Sequence, residues 1–180
     1  MSIIKKMIVL VSCALFAAPA FAAGAGGLFV EPLVSYEKGK SNIDYPSPFS
    51  NSSGDIDGFG VGARLGVHFA EVIFVGLDGR YMKPKFKDST NNMNSNSSGY
   101  DYGAVIGFHP PVIGLRVWGT YIIGGQLDPE EDNNVDVKFT DAKGYRVGVG
   151  FRFVIVSLNV EYQDLKYDNT TLQALGPFSS

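Results

Sequence analysis

The chain has 180 residues, 45% of them apolar, and 15 basic against 18 acidic side chains give a formal net charge of −3. That length fits one domain, the charge balance gives nucleic acid no electrostatic footing, and no run of about 18 apolar residues offers a transmembrane helix. Charged residues make up only 18%, against 22 Gly, 13 Phe and 9 Tyr, a mixture unlike that of an ordinary soluble domain.

The first element is an export signal. Lys5 and Lys6 form a basic start, Met7 to Ala18 an apolar segment, and Ala20-Phe21-Ala22 a small-x-small cleavage pattern. Residues 1–22 therefore read as a signal peptide and 23–180 as the exported domain. Leu10-Val11-Ser12-Cys13 also looks like a lipoprotein cleavage box, but its apolar segment is shorter than the usual ~7–15 residues. Cleavage after Ala22 removes Cys13, the only cysteine, and leaves a domain without thiol or disulfide.

From Leu28 onward the chain alternates with period two, the signature of strands rather than helices. One face carries Leu28, Val30, Pro32, Val34 and Tyr36, then Phe59, Val61, Ala63, Leu65, Val67 and Phe69, then Ile73, Val75, Leu77, Gly79 and Tyr81. It continues through Tyr100, Tyr102, Ala104, Ile106 and Phe108, then Ile113, Leu115, Val117, Gly119 and Tyr121. Tyr145, Val147, Val149, Phe151 and Phe153, and finally Val156, Leu158, Val160 and Tyr162, complete seven runs. No position on this face is charged. The opposite face is rich in glycine and holds Glu31, Glu37, Arg64, Asp78, Arg80, Asp101, Arg116, Arg146, Arg152 and Glu161.

Such a polar face lacks the bulk for a hydrophobic core, so the apolar face must be the outside. The fold class that follows is all-β: an antiparallel up-and-down transmembrane β-barrel with its apolar face toward lipid and its polar face toward a lumen. Two further patterns agree. Long polar segments (residues 38–56, 83–98 and 124–142) alternate with short links near Ala70-Glu71, Pro110-Pro111 and Phe153-Val154, as extracellular loops alternate with periplasmic turns. Tyr36, Tyr81, Tyr100, Tyr102, Tyr121, Tyr145 and Tyr162 all fall at the long-segment ends of their runs, as an interfacial aromatic girdle would. A weak repeat, Gly66-Val67-His68, Gly107-Phe108-His109 and Gly150-Phe151-Arg152, marks the short turns.

The Gly-apolar alternation of Phe59-Gly60-Val61-Gly62 and of Val147-Gly148-Val149-Gly150-Phe151 resembles that of small outer-membrane β-barrels, the group that includes OmpA-like, OmpX-like and OmpW-like proteins. The resemblance covers Gly27 to about Gln163. It implies eight strands, a Gram-negative cell outer membrane, contact with outer-membrane lipid and lipopolysaccharide, and handling by the outer-membrane assembly machinery. It also implies a closing strand ending on an aromatic residue, which this chain lacks. Seven runs are clear, and barrels of this type need an even number. The last strand is therefore weak or missing. Either the chain is incomplete at its C-terminus, or residues 170–178 form an eighth strand after a turn at Asp168-Asn169, against which Pro177 speaks.

An eight-stranded lumen is just wide enough for side chains to fill it. The ten inward charges then read as an ion-pair network, with Arg64 opposite Asp78 and Arg146 opposite Glu161 by hairpin arithmetic. The inward glycines leave a narrow porin-like channel for small solutes as the alternative, opposed by Trp118 and Phe74. Catalysis has no base–nucleophile pair, because His68 and His109 sit at the short-turn rim without a Ser. Asp128, Glu130, Asp132, Asn134 and Asp136 echo a calcium loop, but Asn133 and Phe139 replace its required Gly and Glu. No metal or cofactor is expected. Lys83, Lys85 and Lys87, just above the tyrosines, suit lipopolysaccharide phosphates. The sequence thus points to a non-enzymatic, monomeric barrel with a structural or surface-interacting role.

Overall fold

In a computed structural model the chain forms eight strands closed into one antiparallel barrel, each paired with its sequence neighbour. The structure describes residues 6–15, 27–43, 52–70, 72–88, 93–110, 114–130, 135–153 and 156–175, the first segment by its backbone alone. The strands are β1 (Lys6–Leu15), β2 (Leu28–Ile43), β3 (Ser52–Phe69), β4 (Ile73–Asp88), β5 (Met93–Phe108), β6 (Leu115–Pro129), β7 (Val135–Phe153) and β8 (Val156–Leu175). The seven apolar-face runs of the sequence lie in β2 to β8; Ile113 falls outside the described residues.

The eighth strand is not the C-terminal tail. Thr170 does not begin a new strand, because β8 runs unbroken from Val156 to Leu175 and pairs with β7 throughout, Thr170 lying level with Phe139. Asp168 and Asn169 are extended residues of that strand, and no turn forms there. The closing position is filled by β1, antiparallel to β2 (Leu10 level with Glu37) and to β8 (Leu10 level with Glu161). Hydrocarbon offers no partner to an open strand edge, so closure by some strand is obligatory in a bilayer.

The barrel is inside out relative to a soluble protein. Leu77 and Ile106 are 62% and 60% exposed on the outer surface, while Arg64 and Arg146 are 0% exposed within. Only a hydrocarbon environment makes that distribution favourable. Among the described residues no helix is long and apolar enough to cross a membrane. The crossing is made by strands.

β2 to β8 run 15 to 20 residues, well beyond the ~9–11 that a tilted strand needs to span the bilayer. The polar segments expected to be loops are in large part continuations of the hairpins, with Lys40 level with Asp55, Lys87 level with Asn94 and Leu127 level with Phe139. Above the bilayer neither face need be apolar, so the ladder continues after the alternation has ended. The short links remain tight. Ala70 takes a left-handed φ of 48°, and the Val72 N–H donates to the Phe69 carbonyl at 3.3 Å.

Candidate functional site in the barrel lumen

The lumen is filled in three layers. Nearest the short turns lies an aromatic layer, the buried cluster of Phe29, Phe74, Val105 and Trp118. His68 joins it, its ring centroid 4.8 Å from Phe29 and 5.9 Å from Phe74. Nearest the long hairpins lies a second apolar cluster of Ile122, Leu127, Phe139, Ala142, Leu165 and Tyr167. The charges occupy the space between.

Arg64 and Asp78 sit opposite each other on β3 and β4, with Arg64 Nε donating to Asp78 Oδ2 at 2.7 Å. Arg80 reaches Asp78 through Nε at 3.0 Å and Glu161 through Nη1 at 2.6 Å, and Arg64 Nη2 also pairs with Glu161. Arg146 Nη2 holds both oxygens of Asp101 at 2.9 and 3.0 Å, while its Nη1 meets Asp78 at 3.2 Å. Arg116 grips Glu31 with two parallel bonds, one of them 2.8 Å, and reaches Asn159 Oδ1 at 2.9 Å. Such forked guanidinium–carboxylate contacts suit planar Arg better than Lys. Trp118 ties the layers together. Its Nε1 donates to Glu161 at 2.9 Å, and the guanidinium carbons of Arg64 and Arg116 lie 4.5 and 5.0 Å from its ring.

Eight of the ten inward charges named from the sequence thus meet in one layer, Glu37 is buried without a hydrogen-bond partner, and the side chain of Arg152 lies outside the described residues. Arg146 and Glu161 are not opposite one another. The β7–β8 register sets Arg146 level with Gln163, whose Oε1 accepts from Arg146 Nε at 2.7 Å, and Glu161 level with Gly148. The turn is centred one residue later than the sequence arithmetic assumed, which moves every pair by two.

Over residues 8–176 the chain matches the outer membrane protein beta-barrel domain. It belongs to that family. No curated protein matches the chain.

In this outer-membrane barrel the seven tyrosines all lie on the outward face. Register sets Tyr81 level with Tyr100 and Tyr121 level with Tyr145, and the Tyr145 and Tyr162 rings are 6.1 Å apart. Tyr36 packs on Phe59 at 5.1 Å. Lys83 and Lys85 are exposed on the same outward parity as Tyr81, two and four residues above it; the side chain of Lys87 lies outside the described residues. His109 stands 6.5 Å from His68 at the short-turn end. In the acidic hairpin, Asp128 pairs with Lys138 at 3.5 Å and Glu130 with Asn96 at 3.2 Å, whereas residues 131–134 are outside the described set. No group of three or more potential metal ligands occurs among the described residues.

Sequence reasoning missed the upper apolar layer. Part of it was legible, because the inward parity of Glu161 and Gln163 on β8 continues to Leu165 and Tyr167. Phe139 was not. Asp141 takes a left-handed φ of 59°, and beyond it an odd-numbered residue of β7 is buried where alternation predicts even ones.

A buried ion pair that loses one partner leaves an uncompensated charge, at a cost of about 3–5 kcal/mol. Arg146→Met strands Asp101 and is expected to lower stability by about that amount in urea unfolding followed in micelles. Lys143→Met, at the exposed pair with Asp168, should change little. Equal effects of the two substitutions would contradict the layer's role.

Proposed function

We propose that this outer-membrane barrel is a non-enzymatic, non-conducting protein of structural and surface-interacting type, acting as a monomer that presents its long hairpins outside the cell. The observation that carries this reading is the three-layer filling of the lumen. A conducting path would have to cross the Phe29–Trp118 cluster, the Arg–carboxylate layer and the Ile122–Tyr167 cluster in turn.

The inward glycines, the main argument for a channel, support the filled barrel instead. A Cβ at Gly66 would lie 2.7 Å from Phe29 Cε1, and one at Gly150 only 3.1 Å from Arg116 Nε and from Trp118 Cη2. At Gly107 and Gly148 it would collide with Phe74 and Trp118. These glycines make room for large neighbours, as a narrow barrel requires. The non-enzymatic part rests on the aromatic setting of His68, level with Phe74 and with its ring 4.8 Å from that of Phe29.

Refolded into a planar bilayer, the protein should be silent, and Phe74→Ala with Trp118→Ala should not suffice to open it while the ionic layer stands. Stable unitary steps from the unsubstituted protein would establish the porin-like alternative.

In the same reading residues 1–22 leave as an export leader, which vacates the position of β1 between β2 and β8 for another closing strand, and Lys83, Lys85 and Lys87 meet lipopolysaccharide phosphates. The lysines stand just outside the tyrosine ring, at the depth of headgroups, with Lys83 beside Phe59 and Lys85 between Asp57 and Asn96. Native mass spectrometry of protein extracted from outer membranes tests both points. The expected mass lacks residues 1–22 and carries lipopolysaccharide that the triple Lys→Gln variant loses. A full-length mass would refute the leader, and undiminished adduct on the variant would refute the contact.

A further inference from the structure

One carboxyl group of the ionic layer stands without a partner. Among the described residues its buried members are the guanidinium groups of Arg64, Arg80, Arg116 and Arg146 and the carboxyl groups of Glu31, Glu37, Asp78, Asp101 and Glu161. Four carboxylates bond to an arginine: Glu31 to Arg116, Asp78 to Arg64, Asp101 to Arg146 and Glu161 to Arg80. Glu37 is 1% exposed, and neither of its oxygens has a hydrogen-bond partner. Among the described residues it is the one buried charged group without a partner at any atom.

Its place in the sheet says where a partner would come from. Glu37 is on β2, level with Gly58 on one side and with Leu10 of β1 on the other. Across β1, Leu10 is level with Glu161, so one position of the closing strand is flanked by two carboxylates. The adjoining lumen levels are also polar. Gln163 Nε2 and Asn159 Nδ2 on β8 lack acceptors, level with Ile8 and Ser12. β1 pairs with β2 over Lys6–Cys13 and with β8 over Lys6–Leu15, but its residue at the level of Glu37, Leu10, has no polar side-chain atom.

We propose that the seat between β2 and β8 is a recognition site for a closing strand that brings a Lys or Arg level with Glu37. The occupant is an extended polypeptide segment, antiparallel to both neighbours, with apolar residues outward at the levels of Val9 and Val11 and acceptors inward at the levels of Ile8 and Ser12. One cation there pairs the stranded carboxylate. Backbone pairing supplies affinity to any strand, and the lumen-side chemistry selects among them. β1 leaves Glu37 unpaired while it fills the seat, and loss of residues 1–22 would leave the seat open to such a strand.

The test is a double-substitution cycle on the full chain refolded in micelles. Leu10→Lys should raise the melting temperature by about 2–4 °C, the shift that 1 kcal/mol gives a chain of this size, and the gain should vanish in a Glu37→Gln background. In a second arm, ten-residue peptides with the sequence of residues 6–15, unmodified or carrying Leu10→Lys, are present during refolding. The Lys peptide should be retained preferentially, and Glu37→Gln should abolish the preference. This arm decides the matter if the Leu10→Lys chain does not fold. A melting temperature unchanged or lowered, a gain that survives Glu37→Gln, or equal retention of the two peptides would overturn the proposal.

Discussion

Hydrocarbon accepts no hydrogen bond and solvates no charge, and the rest of this protein is a response to that constraint. Every backbone group within the bilayer must be paired by a neighbouring strand, so the sheet closes on itself. Charged side chains must turn away from lipid, so they are gathered in a lumen that eight strands leave just wide enough for side chains to fill. Once inside, they must satisfy one another. The Arg64–Asp78–Arg80–Glu161 cluster, with Arg146 and Asp101 on one flank and Arg116 and Glu31 on the other, is the outcome.

That layer does not need to be a large net source of stability. Burying ions carries a desolvation cost that their mutual attraction roughly offsets, and breaking a pair is far more damaging than never having made it. Its stronger effect is on register. Its arginines reach acids on other strands: Arg146 on β7 reaches Asp78 on β4 and Asp101 on β5, Arg80 on β4 reaches Glu161 on β8, and Arg116 on β6 reaches Glu31 on β2. A one-residue slip of any strand would turn its charges toward lipid. Glycines opposite Phe74, Trp118 and Arg116 let these bulky groups lie across the barrel, and the two apolar clusters shield the charges from both ends.

The lipid constraint also explains what could be read from sequence. Within the bilayer it acts on every second residue, so strand positions, faces, the tyrosine ring and most of the lumen charges were legible from alternation alone. Above the tyrosines it no longer acts: on β4 the sense of the alternation reverses, with Met82 and Pro84 buried and Lys83 and Lys85 outward, and on β7 Phe139 departs from the parity of the strand. Pairing across a turn was legible only where the turn centre was. Ala70 fixed the Arg64–Asp78 pair, whereas a turn one residue later than assumed gave Arg146 to Gln163. The partners of Arg116 and Arg80 came from distant strands, which hairpin arithmetic cannot reach. The closing strand was the least legible element, because residues 6–15 follow the pattern of an export signal and also supply a ladder to β2 and β8.

The claim on which the account stands is that the lumen is sealed. Thr120, on β6 in the ionic layer, is 2% exposed. In a Cys13→Ser background, a cysteine substituted at Thr120 can be challenged with a membrane-impermeant thiol reagent, with one at the exposed Lys143 as reference. The sealed lumen predicts labelling at Lys143 and none at Thr120 until the barrel is unfolded. Labelling of the folded protein at both positions with similar rates would mean that water and solutes pass the apolar layers, and would contradict it.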